Sequence, residues 1–178
     1  VFYFQKRKGK NGKDFFLIKL STMNKDSVNN GMGSITVRDD PRIKFMGKSL
    51  RRSKLNELPQ LINVLLGDLS IVGPRPLIEG TTGYKAYSDD IKLKIFSNRP
   101  GLTGIGSIVF RDEEAILSSV DNPHDFYTNE LAPYKADLEL WYFQHKSLKV
   151  DLKIVLCTAV SIIFPESEFY KKILPGLP

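Results

Sequence analysis

Between Asn56 and Pro76 the chain reads NELPQLINVLLGDLSIVGPRP, and this stretch restricts the possible folds more tightly than any other. A polar pair opens an apolar run, a glycine closes it, and a short β-prone segment then enters two prolines that flank an arginine. Asn56 is a good N-cap, Glu57 suits the positive end of a helix dipole, and Pro59 is tolerated in a first turn. The spacing therefore predicts a helix from about Glu57 to Leu66. Leu58, Leu61, Ile62, Val64, Leu65 and Leu66 cover most of its circumference, which predicts a buried helix, and Gly67 supplies the stop signal. LSIV then reads as a short extended segment, and Pro74 and Pro76 stiffen the backbone on both sides of Arg75. A guanidinium on so stiff a mount suits bidentate phosphate binding, and it equally suits an ordinary surface loop.

The rest of the chain supplies a hairpin and several helices. VFYFQKR and DFFLIKL are β-prone segments joined by KGKNGK, where Asn11-Gly12 provides the positive φ angles of a tight turn. Residues 24–34, rich in Asn, Ser and Gly, read as a loop, and TVRDDPRI as a strand-like piece entering an Asp-Pro turn. From Arg42 to Arg52, Ile43, Met46 and Leu50 recur at helical spacing while Lys44, Lys48, Arg51 and Arg52 occupy the remaining surface. This is a basic amphipathic helix, consistent with a solvated face or with a membrane-surface or phosphate-binding face. SNRPGLTGIGSIVFRDEE carries Gly104 and Gly106 in a turn, then Arg111 followed by Asp112, Glu113 and Glu114. Gly-rich turns let backbone amides approach an anion, but no Walker or dinucleotide fingerprint is present. Tyr134, Leu138, Trp141, Tyr142 and His145 form a helical stripe of core type, and His124 and His145 read as structural or exposed. DLKIVLCTAVSIIF, capped by Asp151, is too short to span a membrane and reads as a core or interfacial helix.

Composition bounds the function. A chain of 178 residues with 42% hydrophobic and 26% charged residues can bury one proper core, so it reads as a single domain over 1–178. The formal charge of +6 favours phosphates, nucleic acid or an acidic membrane surface as partners. With Cys157 as the sole cysteine, an internal disulfide and a thiolate metal cluster are excluded. No recognised nucleic-acid motif is present, which argues against such a partner. The start at Val1, already strand-like and without an initiator Met, is read as lying inside a longer protein.

Taken in order, FQKRKGKNGKDFFLIKLSTM, DDPRI, GKSLRRSKLNELPQLINVLLGDLSIVGPRPL, RPGLTG and DLELWYFQHKSLKVDLKI resemble the bacterial sugar transferases known as monotopic phosphoglycosyl transferases. The likeness covers nearly the whole chain. It implies an α+β fold in which a hairpin packs with helices, several of them lying on the membrane surface. It also implies transfer of a sugar 1-phosphate from a UDP-sugar to polyprenyl (undecaprenyl) phosphate, with release of UMP, use of Mg²⁺ and a covalent intermediate. Such a step initiates bacterial surface glycan or exopolysaccharide synthesis at the cytoplasmic face of the inner membrane, where family members are held by a membrane helix that is absent from this chain. Carried over by position, Lys19, Arg51 and Arg75 match phosphate-binding or network residues and Arg111 a donor-substrate contact. Glu57 matches the Glu of the catalytic acidic pair and a metal ligand, and Asp137 and Asp151 match recurring acidic positions.

The departure lies beside Glu57. In the family's pattern the preceding residue is the nucleophilic Asp, whereas here it is Asn56, whose neutral amide is a far poorer nucleophile and a weaker metal ligand. An introduced Asp-to-Asn change, a natural branch using another carboxylate, and a catalytically silent member that binds nucleotide sugar or partners all fit the sequence. For the second, Glu57 is the nearest nucleophile, with Asp112, Glu113 and Glu114 as a further acidic group. FRDEE and Ser21 also differ from the family's usual residues, which favours a natural, active branch.

Overall fold

The structure is a computed structural model that describes residues 2–24, 36 and 40–178. The loop expected at 24–34 and the strand expected in TVRDD fall, apart from Asn24, Thr36 and Asp40, outside the described residues. The observed class is mixed α+β.

Strands β1 (Phe2–Lys8) and β2 (Asp14–Leu20) form the expected antiparallel hairpin, in register from Phe2 opposite Leu20 to Lys8 opposite Asp14. Its turn works as the sequence dictates, because Asn11 (φ 58°) and Gly12 (φ 71°) both take the left-handed conformation that their side chains tolerate. Alternation along the strands puts Arg7, Phe15, Leu17 and Lys19 on one face. Phe15 and Leu17 are buried there with Leu69, and Val64 packs against them.

The first helix, α1 (Phe45–Arg52), starts three residues later than expected. The turn before it is the expected one at Pro41, closed by a hydrogen bond from Ile43 N–H to Asp40 C=O. A single 3-10 turn, Leu55–Glu57, then precedes α2 (Gln60–Leu66). Asn56 is therefore not the N-cap of α2; that position falls to Pro59, and no side chain caps the helix. The expectation that α2 is buried by its apolar residues is also corrected. Its buried residues are Gln60 and Asn63, whereas Leu61, Ile62, Leu65 and Leu66 are exposed, Leu65 to 87%. The reason is the exposed edge of β2: Asn63 Oδ1 accepts from Ile18 N–H at 3.0 Å and Asn63 Nδ2 donates to Phe16 C=O at 2.8 Å. Backbone polar groups on an unpaired strand edge need partners, and one amide side chain provides both. Gly67 ends α2 in the left-handed conformation, as expected.

Strand β3 (Ser70–Val72) runs parallel to β4 (Gly101–Thr103), with α3 (Thr82–Ala86) and α4 (Asp89–Ser97) in the crossover. After β4 come α5 (Ile105–Val109), α6 (Glu113–Ser118) and α7 (Pro123–Phe126). A π-turn, Tyr127–Leu131, leads into α8 (Ala132–His145), and α9 (Leu148–Ile163) and α10 (Phe169–Ile173) complete the chain. The largest core cluster joins Val72, Ile105, Ile108, Leu138, Tyr142, Ile154 and Cys157, so α5, α8 and α9 close over the end of β3. The Leu138 and Tyr142 stripe is buried as expected, while His145 is exposed. Asp151 is not the cap of α9. Ser147 caps it by accepting from Val150 N–H, and Asp151 instead accepts from Tyr142 Oη at 2.9 Å. No helix among the described residues is long and apolar enough to cross a membrane.

Candidate active site

A cleft opens where the inner face of the hairpin meets the Pro-Arg-Pro turn after β3. It is lined by Arg7, Lys19, Glu57, Gln60, Arg75 and Ser107, together with backbone from Gly73 and from 101–103. Three separate elements deliver the charged groups. Lys19 comes from β2 by strand alternation, Glu57 from the 3-10 turn, and Arg75 from the proline-stiffened loop. Arg7 holds the loop in place, since its Nη1 donates to Pro76 C=O at 2.7 Å while Nε and Nη2 donate to Gln5 Oε1.

The electrostatics are those of a carboxylate outnumbered by cations. Burial alone would raise the Glu57 carboxyl, but Lys19, Lys54 and Arg75 outweigh it and hold the group below the ordinary carboxylate range. Burial pushes Lys19 down to about 7, with Arg7, Arg75 and Arg51 adding repulsion and Glu57 opposing it. Burial also works against Arg75, yet Glu113 and Glu57 leave its guanidinium more firmly charged than usual. Among the described residues none of Lys19, Lys54 and Arg75 donates a side-chain hydrogen bond or sits in a close ion pair. The cleft thus holds cations available to a ligand, around one ionised carboxylate.

The remaining residues singled out in the sequence are distributed around this centre. Asn56 lies in the same turn as Glu57, is buried, and among the described residues leaves its Oδ1 without a hydrogen-bond partner. Arg51 pairs with Glu114 across to α6. Arg111 is engaged with main chain: Nε donates to Ser161 C=O at 3.1 Å and Nη2 to Arg52 C=O at 2.8 Å, which ties the end of α1 to α9. The acidic triple divides its duties. Asp112 caps α6 through Ala115 N–H, Glu113 accepts from Lys135 Nζ at 2.8 Å and acts on Arg75, and Glu114 meets Arg51. Asp137 is exposed on α8 and does not line the cleft. His124 is exposed, with Nε2 3.3 Å from Thr82 Oγ1, and His145 Nδ1 lies 2.8 Å from Trp141 C=O.

Sequence reasoning missed Arg7, Lys54, Gln60, Lys135 and Glu139. The signal for the last two was present, because Lys135, Leu138, Glu139 and Tyr142 share one helical stripe and all four are buried. Burial pushes the Glu139 carboxyl up to about 7, against the opposing effects of the nearby Arg75 backbone, Lys135 and the Arg75 guanidinium. The folded chain therefore keeps this proton while the unfolded chain releases it near the ordinary value of 4.5. The contribution of Glu139 to stability is largest below that value and declines as pH rises toward about 7. Glu139→Gln is expected to gain stability relative to the parent by about 2 to 3 kcal/mol between pH 5 and pH 8. Urea unfolding at the two pH values measures this; an equal difference at both would show that the carboxyl does not titrate in the interval.

A cleft that sets cationic side chains around one carboxylate has the charge arrangement to accept a phosphate-bearing ligand. The chain is a member of the bacterial sugar transferase family, whose pattern it matches over residues 1–165. It is 30% identical over 183 residues to the exopolysaccharide production protein ExoY of Rhizobium meliloti (strain 1021), covering 95% of this chain and 73% of that protein. It is 32% identical over 171 residues to the UDP-glucose:undecaprenyl-phosphate glucose-1-phosphate transferase of Xanthomonas campestris pv. campestris, covering 95% of this chain and 33% of that protein. It is also 31% identical over 166 residues to the UDP-N-acetylgalactosamine-undecaprenyl-phosphate N-acetylgalactosaminephosphotransferase of Aeromonas hydrophila, covering 92% of this chain and 35% of that protein. The chain thus spans about a third of the length of each of these two named transferases.

Proposed function

We propose that this chain transfers a sugar 1-phosphate from a UDP-sugar to undecaprenyl phosphate, the step that begins exopolysaccharide or surface glycan synthesis. The observation that carries the reading is the cleft itself, where Lys19 and Arg75, neither of them in a side-chain hydrogen bond or close ion pair among the described residues, stand beside an ionised Glu57. Phosphoryl transfer depends on positioning and charge stabilisation, and such a cleft provides both. Glu57 is the nucleophile in this reading. A carboxylate oxygen attacks the β-phosphorus of the UDP-sugar, the bond from that phosphorus to the bridging oxygen breaks, and UMP leaves with the electron pair. An oxygen of the polyprenyl phosphate then attacks the same phosphorus, releasing the Glu57 carboxylate and giving the polyprenyl diphosphate sugar. Lys19 and Arg75 balance the charge of the diphosphate, and Arg7 holds the turn that carries Arg75.

For Mg²⁺ the donor set is sparse but suitable. Among the described residues no group of three or more His, Cys, Asp or Glu side chains could hold a metal ion. Mg²⁺ typically takes only one or two protein oxygens and completes its shell with water and substrate phosphate. Glu57 and the unpartnered Asn56 Oδ1 would supply those oxygens, and the ion would offset the negative charge of the donor diphosphate.

The apolar surface supports docking on the cytoplasmic face of the bacterial inner membrane. Phe45 is 91% exposed at the start of α1, Leu65 and Leu66 project from α2, and Leu152, Leu156 and Ile163 project from α9. Side chains of this size left in water mark a surface that meets lipid or protein.

Asn56 favours a second reading, a silent member that binds nucleotide sugar without turnover. The full-length protein in lipid nanodiscs with undecaprenyl phosphate, Mg²⁺ and a panel of UDP-hexoses and UDP-N-acetylhexosamines separates the two. Native protein is expected to release UMP with at least one sugar, and Asn56→Asp to stay within about tenfold of that rate. UMP release by Asn56→Asp alone would establish the silent reading instead.

A further inference from the structure

Lys54 does not line the cleft, yet its charge acts on the same carboxylate. Its backbone is left-handed, φ 60° and ψ 8°, a conformation that residues other than Gly, Asn and Asp rarely adopt. The charged groups acting on its ammonium include Glu57, Arg75, Arg111 and Glu114. It is mostly buried and, among the described residues, makes no side-chain hydrogen bond or close ion pair. Lys54 directly follows the C-cap of α1, where a left-handed residue commonly ends a helix, but that place usually goes to Gly or Asn; here it holds a lysine with no close protein partner among the described residues. Outliers of this kind concentrate at ligand-binding positions.

The place of Lys54 in the fold indicates which ligand. Its sequence neighbours Leu55 and Leu58 are exposed, at 47% and 55%. Arg111, one of its charged neighbours, ties Arg52 at the end of α1 to Ser161 in α9, and Ile162, Ile163 and Phe164 follow directly as exposed apolar residues. Lys54 thus stands where the polar site meets the apolar rim, whereas Lys19 and Arg75 lie in the polar cleft. A ligand with a phosphate head and a long hydrocarbon tail matches the former place, and a water-soluble nucleotide sugar matches the latter.

We infer that Lys54 receives the phosphate of the polyprenyl acceptor, separately from the cations that hold the donor diphosphate. This rests on the transferase reading above, and it divides the site into two anion positions, one in the cleft and one at Lys54. The left-handed backbone makes the residue testable without unfolding the protein, since Asn is at ease in that conformation while it removes the ammonium together with its stem. The experiment titrates undecaprenyl phosphate in detergent micelles, and UDP-sugar in parallel, into native full-length protein, Lys54→Asn and Lys54→Arg, with thermal unfolding of each as a check on folding.

Native protein is expected to bind the lipid phosphate, Lys54→Asn to bind it about tenfold more weakly with an unchanged or higher Tm, and Lys54→Arg to retain most of the affinity. UDP-sugar affinity is expected to stay within about twofold in all three. Equal loss for both ligands, loss for UDP-sugar alone, or no loss for the lipid phosphate would each overturn the assignment. Because binding is measured without turnover, absence of UMP release in the native protein would overturn the transferase reading while leaving this result to stand or fall by itself.

Discussion

Glu57→Gln is expected to reduce UMP release by at least about 1,000-fold, equivalent to about 4 kcal/mol of barrier, while UDP-sugar binding is retained or tightened. The two halves of this result have one cause. Glu57 is ionised because Lys19, Lys54 and Arg75 surround it, so it is available to attack phosphorus. The same negative charge opposes an incoming diphosphate, and a neutral amide of equal shape removes that opposition. Loss of turnover with intact binding, read by coupled UMP assay and by calorimetric titration, places Glu57 in the chemical step rather than in binding. Parallel loss of both would make Glu57 a binding residue, and undiminished turnover would place the chemistry on another carboxylate.

Gly101→Ala is expected to lower stability by about 3 kcal/mol, seen as a fall in Tm of about 10 °C. A Cβ at this position would stand 2.2 Å from Gly73 N, 2.3 Å from Thr103 C=O and 2.6 Å from Gly73 C=O. All three are backbone atoms of the parallel β3–β4 pair or its margin, so no flexible side chain can yield. Gly73 leads directly into the Pro-Arg-Pro turn, and a separation of the strands would displace Arg75 as well. Gly106→Ala is the control. Its nearest neighbour is Glu139 Oε1 at 3.7 Å, an ordinary contact, and α5 gains a better helix former. Thermal unfolding by circular dichroism compares the pair; equal Tm values would show that β3 and β4 separate at little cost.

Local signals in the sequence located elements better than they located burial. Asn11-Gly12 identified the hairpin because few residue pairs accept two successive left-handed angles. Gly67 marked the end of α2 for a similar reason. The buried side of α2 was misjudged because apolar residues cover most of its circumference, so periodicity does not select a face. The face was selected by the needs of β2, which Asn63 meets, and a helix read in isolation carries no record of a distant strand edge. Asp151 was read as a cap because acidic residues favour first turns, but Ser147 stood four residues earlier and the Tyr142 hydroxyl required an acceptor.

The site was legible in a different way. Lys19, Glu57 and Arg75 are 38 and 18 residues apart, and neither spacing nor charge links them; the resemblance did so, and the structure gathers them in one cleft. Lys54 remained hidden because a lysine in RRSK reads most simply as solvated, and Glu139 was missed although it shares a helical stripe with Leu138 and Tyr142. Their burial depends on contacts between elements far apart in the chain.

The bond pattern of Asn63 also governs alignment. Its amide grips Phe16 C=O and Ile18 N–H, the peptide groups on either side of Leu17, so α2 is indexed against β2 to a single residue. Sliding by one position would reverse every side chain of the strand and turn Lys19 away from Glu57. The hairpin's own turn cannot prevent such sliding against the helix, because it fixes only one strand against the other. A buried asparagine that touches no ligand thus acts as the locating pin of the site, and the distance from lysine to carboxylate is set by an amide on a third element.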